Sequence, residues 1–154
     1  MKISTKGRYG LRAMLDLAKH DIDGEAVSVQ SISQRQNISE SYLEQLVRLL
    51  RTAGLIKSVR GAGGGYKLAK SPDRISVGDV LRACEGDIEV VSCTSAGEEE
   101  NSCNQAERCV ARIVWETVNN AIEDAVDSLS LEKLLNESKD IDSEQLLDTT
   151  KCVN

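Results

Sequence analysis

The sequence predicts a mainly α-helical fold with a small β wing: a winged helix-turn-helix unit followed by a long C-terminal helix. Three observations predict it. Two short helical patterns meet at Asn37, the glycine run Gly61, Ala62, Gly63, Gly64, Gly65 is flanked by strand-like segments, and a regular apolar spacing runs from Cys109 to Leu129.

The first helix is expected from Thr5 to His20. Arg12, Asp16 and Lys19 fall on one side, and Tyr9, Ala13, Met14, Leu15, Leu17 and Ala18 occupy the rest, so it reads as a buried scaffold helix. After the turn DIDGEA, Ser28 can cap a short helix carrying Val29 and Ile32, which ends at Asn37 because asparagine tolerates the left-handed conformation. Ser39 is placed to cap the next helix. Ile38 and Leu43 form its hydrophobic staple, and Glu40 lies in the first turn, where the helix dipole favours an acid.

Within Ile38–Gly54, Leu43, Leu46, Val47 and Leu50 recur at core spacing, which turns Ser41, Glu44, Gln45 and Arg48 outward. Any amphipathic surface helix shows that pattern, but a short helix immediately before it makes a helix-turn-helix. Its outward side chains are types that pair with base edges in the major groove. Leu55–Arg60 and Tyr66–Lys70 have strand composition and enclose the glycine run, giving a hairpin. A glycine tip with Arg60 and Lys67 beside it can approach a narrow surface and set cations there, as contact with a minor groove and its phosphates requires. A nucleotide phosphate loop does not fit: no Gly-Lys-Ser/Thr follows, and the glycines precede a strand instead of opening a helix.

The 154 residues leave room for one domain and an appendage, and 40% hydrophobic residues supply a core that must be aliphatic, since phenylalanine is absent. The net charge of −6 hides an asymmetry: Met1–Arg74 carries +6 and Ile75–Asn154 carries −12. The first part therefore has the electrostatic footprint of a DNA-binding module while the second repels DNA. No apolar run of about 18 residues and no signal-peptide core is present, which points to a cytoplasmic protein with no membrane partner. Five cysteines make an odd count, favouring metal or redox chemistry over a disulfide framework. No nucleophile–base pair, metal-binding histidine motif or cofactor loop is found, so an enzyme is not expected.

The strings STKGRYGLRAMLDLA and ISESYLEQLVRLLRTAGLIKSVRGAGGGYKL, and a later cysteine loop leading into CVARIVW, resemble the IscR, NsrR and CymR group of Rrf-type bacterial winged-helix regulators over Met1 to about Asn136. The resemblance implies a homodimer on a palindromic double-stranded DNA operator, recognition helix in the major groove and wing in the minor groove. By matching position it places Ser39, Ser41, Tyr42, Glu44 and Arg51 at or near bases and phosphates, with Arg60 as the wing arginine. To these the DNA-contact set adds Gln45, Arg48, Lys6 and Tyr9, together with Gly63, Gly64 and Lys67 of the wing. Glu44 can accept only from cytosine N4 and repels phosphate, so it should sharpen selectivity more than affinity.

Ser76 can cap a short helix whose Val77, Val80, Leu81 and Cys84 form one stripe, which makes Cys84 first a core residue. Cys93, Cys103 and Cys109 then lie on a loop without periodicity, with nine and five residues between them. Structural zinc relies on tight Cys pairs, whereas wide spacing suits a larger inorganic core. In the resemblance these three match the cluster cysteines of the iron-sulfur members, a 2Fe-2S cluster being preferred to 4Fe-4S, and they set the chain apart from CymR-like members, which lack the triad. The gap between Cys93 and Cys103 is longer than the five residues the resemblance leads one to expect, and two positions also depart from the pattern. Arg112 stands where IscR-like members place a ligating histidine, and Arg8 where NsrR-like members place an acid. A guanidinium cannot bind iron, which leaves Cys84, Glu107 or an exogenous thiol or water as fourth ligand. The alternative is a CymR-like regulator of sulfur metabolism, controlled by thiol oxidation or a protein partner.

Along the last long helix Val110, Val114, Val118, Ala121, Ile122, Ala125 and Leu129 form one stripe, which self-association explains best. Trp115 is a candidate anchor of that dimer. Ser130 can cap a short helix through Leu135. The expected division is 1–74 for DNA binding, 75–137 for the cysteine loop and dimer helix, and 138–154 for a disordered acidic tail.

Overall fold

The computed structural model describes residues 3–21, 25–61, 63–91 and 109–139. Helix α1 spans Thr5–His20 as expected, opened by the Ser4 hydroxyl, which accepts from Lys6 N at 3.0 Å. Helix α2, Val29–Gln36, opens on Ser28, whose hydroxyl accepts from Ser31 N at 3.1 Å, and closes at Asn37 with φ +52°. Helix α3 spans Glu40–Thr52. Ser39 occupies its cap position with extended backbone but makes no side-chain cap hydrogen bond. The helix start rests instead on the staple, since both Ile38 and Leu43 are buried.

The wing is an antiparallel pair, β1 Ile56–Val59 and β2 Gly65–Leu68, in the register Ile56↔Leu68 to Val59↔Gly65. Both strands are shorter than the sequence suggested. Leu55 N still closes the end of α3 by donating to Leu50 O at 3.0 Å, so that residue belongs to the helix exit. A bridge from Val27, exchanging bonds of 2.9 and 2.8 Å with Tyr66, pins the hairpin to the segment before α2.

A short 3-10 turn, Pro72–Arg74, leads to α4, Val77–Glu85, which carries a full capping box: the Ser76 hydroxyl accepts from Asp79 N and the Asp79 carboxylate from Ser76 N, each at 3.0 Å. Helix α5 covers Val110–Asp127 and α6 covers 131–139, running past the expected end at Leu135. Ser130 caps α6 by accepting from Lys133 N at 3.2 Å.

One aliphatic core joins these pieces. Met14, Ile32, Leu43, Leu46, Leu50, Ile75, Val80 and Leu131 are all but sealed from solvent, so α1 to α4 and the start of α6 share it. A close seam lies between α1 and α4. A side chain at Gly10 would overlap the Cys84 sulfur, and one at Gly7 would meet Leu81 and the Glu85 carboxylate. Glu85 uses that proximity: one carboxylate oxygen accepts from Ser4 N at 3.0 Å, the Ser4 hydroxyl at 2.7 Å and Gly7 N at 2.7 Å. A residue some 80 positions along the chain thus satisfies donors at the start of α1. Burial, aided by the Glu85 charge, pushes the Cys84 thiol up to about 11, which fits a core residue.

Asp16, which shares one side of α1 with Arg12 and Lys19, is buried. It is 5% exposed and takes a bidentate Arg35 guanidinium, with bonds of 3.0 to 2.7 Å, and Gln36 Nε2 at 3.0 Å. Burial works against its charge, but the hydrogen bonds from Arg35 and Gln36, with the Arg35 charge, outweigh it and hold the carboxyl below its ordinary value. The pair braces α1 against the end of α2.

Two outcomes follow from this packing. Gly10→Ala should destabilise the chain by about 1–2 kcal/mol in urea unfolding despite alanine's better helix propensity, because the added methyl meets sulfur. In a Cys84→Ala background the same change should be neutral or stabilising; equal effects in both backgrounds would dismiss the contact. Asp16→Asn should cost about 1–3 kcal/mol near neutrality, discounted from a fully buried pair because Arg35 is a third exposed. Since the folded Asp16 pKa is depressed, its contribution is complete above the unfolded value near 4 and is lost as pH falls through the folded one. The stability gap between wild type and variant should therefore stay flat from about pH 5 to 8 and narrow below about pH 4; a gap that held at acid pH would rule the ion pair out as its cause.

Candidate nucleic-acid interface and cysteine loop

The core contacts of α3 decide which side chains it offers. With Leu43, Leu46, Val47 and Leu50 buried, Ser41, Glu44, Gln45 and Arg48 stand exposed as one stripe, with Ser39 before it and Arg51 exposed in the last turn. Tyr42 is half-buried, meeting the Tyr9 ring edge-on at 6.0 Å between centroids, and the Arg12 guanidinium lies 5.4 Å from the centre of the Tyr9 ring. This contact brings the opening turns of α1, where Lys6 is exposed, beside the start of α3. Arg12 is a neighbour that the DNA-contact set did not include, although it drew Lys6 and Tyr9 from the same helix.

At the wing, Arg60 is exposed directly after β1. Gly61 turns the chain at φ +120°, a conformation closed to ordinary side chains, and Gly64 N donates to Gly61 O at 3.0 Å. Gly63 is exposed with open space around it, while a side chain at Gly64 would crowd the Gly61 and Val59 carbonyls. Lys67 on β2 is half-buried and directly opposite exposed Lys57 on β1. Two like charges facing each other across a hairpin weaken it. Their juxtaposition concentrates positive charge on the wing, a signal available once the register is known.

Of the three candidate cluster ligands, Cys93 and Cys103 lie outside the described residues. Cys109 is exposed at the position before α5, with extended backbone. Arg112 donates from Nε to Glu116 at 2.6 Å. The last described stretch before Cys93 is fixed to the side of α5: Val90 N donates to the Asn119 side-chain oxygen at 3.2 Å, and Asn119 Nδ2 donates to Glu123 at 2.9 Å. Among the described residues no three His, Cys, Asp or Glu side chains converge as a metal site, so the candidate set depends on the two cysteines outside them. Cys84 is taken up by the core, against Gly10.

Helix α5 has two apolar faces where the sequence reading drew one stripe. Ile122, Val126 and Leu129 pack with Leu134 against a small cluster of Val77, Leu81 and Ile88. Val110, Ile113, Val114, Trp115 and Val118 remain exposed, from 78% at Val110 to 37% at Val118. No described helix is long and apolar enough to cross a membrane.

Residues 3–137 match the Rrf2 family, described as "Iron-dependent Transcriptional regulator". The chain is 47% identical over 134 residues to the HTH-type transcriptional regulator CymR of Bacillus subtilis (strain 168), covering 87% of this chain and 89% of that protein. It is 42% identical over 150 residues to the HTH-type transcriptional regulator IscR of Aliivibrio salmonicida (strain LFI1238), covering 96% and 86%. Among solved structures, that of CymR (YrzC), the global cysteine regulator of B. subtilis, superposes with a TM-score of 0.71 at 45% identity, covering 89% of this chain and 98% of that one. The T. potens IscR structure does so with 0.70 at 43%, covering 90% and 88%. CymR and IscR relatives therefore stand at similar distance. Matched from residue 3 to residue 137, the chain belongs to the Rrf2 family of transcriptional regulators.

Proposed function

We propose that two copies of this chain pair along α5 and set their two α3 helices and wings on a palindromic DNA operator, and that a thiol-bound signal at Cys93, Cys103 and Cys109 controls that binding. The reading rests on one observation above others: the exposed stripe Ser41, Glu44, Gln45, Arg48 lies on a helix whose opposite side is wholly buried, beside a cationic wing. Ser39, Tyr42, Arg51, Lys6 and Tyr9 extend the same surface, and Arg60, Gly63, Gly64 and Lys67 form its wing. Phosphate contacts from Lys6, Arg51 and Arg60 would give affinity and register, and the stripe would read bases.

The iron-sulfur form of the signal is the first reading. Cys93, Cys103 and Cys109 would supply three thiolates; with Arg112 engaged by Glu116 and Cys84 in the core, the fourth position falls to an exogenous ligand or to Glu107, outside the described residues. Such a cluster supplies a centre whose oxidation or loss reports iron, oxygen or nitric oxide status. The chain's own part is transmission: Cys109 precedes α5 directly, and Asn119 holds the entry to the loop on the same helix. The 47% identity to CymR favours a second reading, in which thiol oxidation or a protein partner acts on the same DNA module without iron.

The readings separate on measurement. Anaerobic reconstitution should give visible absorbance and bound iron and sulfide that Cys93→Ala, Cys103→Ala or Cys109→Ala abolishes; a colourless product would move the assignment to the second reading. Holo and apo protein should differ in operator affinity by roughly 5–150-fold, the range of 1–3 kcal/mol couplings. Arg51→Ala should weaken binding to all duplexes alike and lower the salt slope by about 1, whereas Glu44→Ala should change base preference with little loss of affinity. Val118→Asp should convert the dimer to monomer in sedimentation and weaken operator binding at least tenfold, roughly 1.4 kcal/mol or more. A Val118→Asp protein that stayed dimeric would move the interface elsewhere.

A further inference from the structure

Arg12 stands on α1 where one side chain reaches both ends of the turn between α2 and α3. Its guanidinium donates from Nη2 to the Gln36 carbonyl at 2.6 Å and from Nε to the Gln36 side-chain oxygen at 3.2 Å. Gln36 is the last residue of α2, so its carbonyl is one that a helix leaves without an internal partner, at the end where the helix dipole favours a cation. The same guanidinium lies 5.4 Å from the centre of the Tyr9 ring. That ring meets Tyr42, in the first turn of α3, at 6.0 Å between centroids and an interplanar angle of 82°. Gln36 is held from the other side too, its Nε2 donating to Asp16 at 3.0 Å, so its amide accepts from Arg12 and donates to Asp16 at once.

The turn has bonds of its own, with Ser33 Oγ donating to Ile38 O at 2.6 Å and Asn37 in the left-handed conformation. Those bonds shape the turn without tying it to α1. At the start of α3 Ser39 makes no cap bond, and the staple of Ile38 and Leu43 is apolar and therefore without directional preference. The Arg12 contacts are directional. We propose that Arg12 is a positioning residue for base recognition: through Gln36 and Tyr9 it sets the angle at which α3 presents Ser41, Glu44, Gln45 and Arg48, and it makes no phosphate contact of its own. The edge formed by Nε and Nη2, with which a guanidinium grips a phosphate in two parallel bonds, is already used on Gln36. A lysine here would keep the charge but could neither make that two-bond grip nor lie flat over a ring. The role rests on α3 reading bases as proposed above, and adds a residue that itself meets no base.

The test selects a preferred duplex from a randomised library with the full-length wild type, then measures Kd for that duplex and for a random duplex of equal length across a salt series. In Arg12→Ala and Arg12→Lys alike, the preference for the selected duplex should fall by roughly tenfold or more, with affinity for the random duplex within about twofold of wild type. Arg12→Ala should leave the salt slope unchanged, whereas loss of a phosphate contact would lower it by about 1. In the free ¹⁵N-labelled variants the amides along Glu40–Thr52 should shift while those of Val110–Asp127 stay in place. Undiminished preference in folded variants, unmoved α3 amides, full rescue by lysine, or a salt slope lowered by about 1 would each overturn the role of Arg12 alone. A wild type that selects no sequence would overturn the proposed reading by α3, and this role with it.

Discussion

The close seam between α1 and α4 is the constraint on which the rest of the molecule depends. Gly10 lets the Cys84 sulfur reach the helix backbone, and the Glu85 carboxylate then takes three donors at the start of α1. A side chain at Gly10 would overlap the Cys84 sulfur, and one at Gly7 would meet the Glu85 carboxylate. The seam sets two things at once. It orients the first turns of α1, whose Tyr9 meets Tyr42 of α3, and it fixes the end of α4 from which the chain departs toward the cysteines.

That geometry explains how a chain with net charge −6 can present a cationic face. The basic residues lie on α1, α3 and the hairpin, while α5 carries Glu116, Glu123, Asp124 and Asp127. Where two acids and a base meet between α4 and α5, as Asp79 and Asp127 do on Arg82, the pairing is local and does not reach the reading stripe. Screening beyond about 10 Å at moderate salt keeps the two regions electrostatically distinct. The Lys57↔Lys67 pair shows the opposite choice on the wing, where stability is given up for charge density.

The sequence was most legible where the determinants are local. The bounds of α1, the Asn37 stop and the buried set of α3 all follow from caps and periodicity within a few residues of one another, and the structure has them where the pattern places them. Ser39 shows the limit of that logic: the residue and position suit a cap, but its side chain makes no cap bond, and buried Ile38 and Leu43 staple the start. Asp16 was illegible for a different reason. Helical spacing put it with Arg12 and Lys19, and only the arrival of Arg35, 19 residues later on another helix, makes it a buried anion. Glu85 needs a partner 78 to 81 residues away, so no window could have found it. On α5 the apolar repeat was readable, but the division between Ile122–Leu129 facing α4 and Val110–Val118 facing outward follows from where α4 lies.

The same contacts rank the joints of the molecule by stiffness. Helix α4 is locked to α1 by the shared core and the Glu85 bonds, whereas α5 is held by a small cluster of Val77, Leu81 and Ile88 and by polar contacts open to water. Its Asp127–Arg82 pair is 44% and 34% exposed, which places its worth at about 0–1 kcal/mol after screening. The Val90–Asn119 hydrogen bond adds about 1 kcal/mol more. These polar contacts of α5 are each weaker than the buried seam between α1 and α4. On the proposed reading, a signal that enters beside Cys109 would be expressed as a change in how α5 sits, while the exposed stripe of each α3 would keep its own geometry. On the same reading, in a pair of copies joined along α5, what would change is the distance and tilt between the two α3 helices, a quantity to which a palindromic duplex is sensitive.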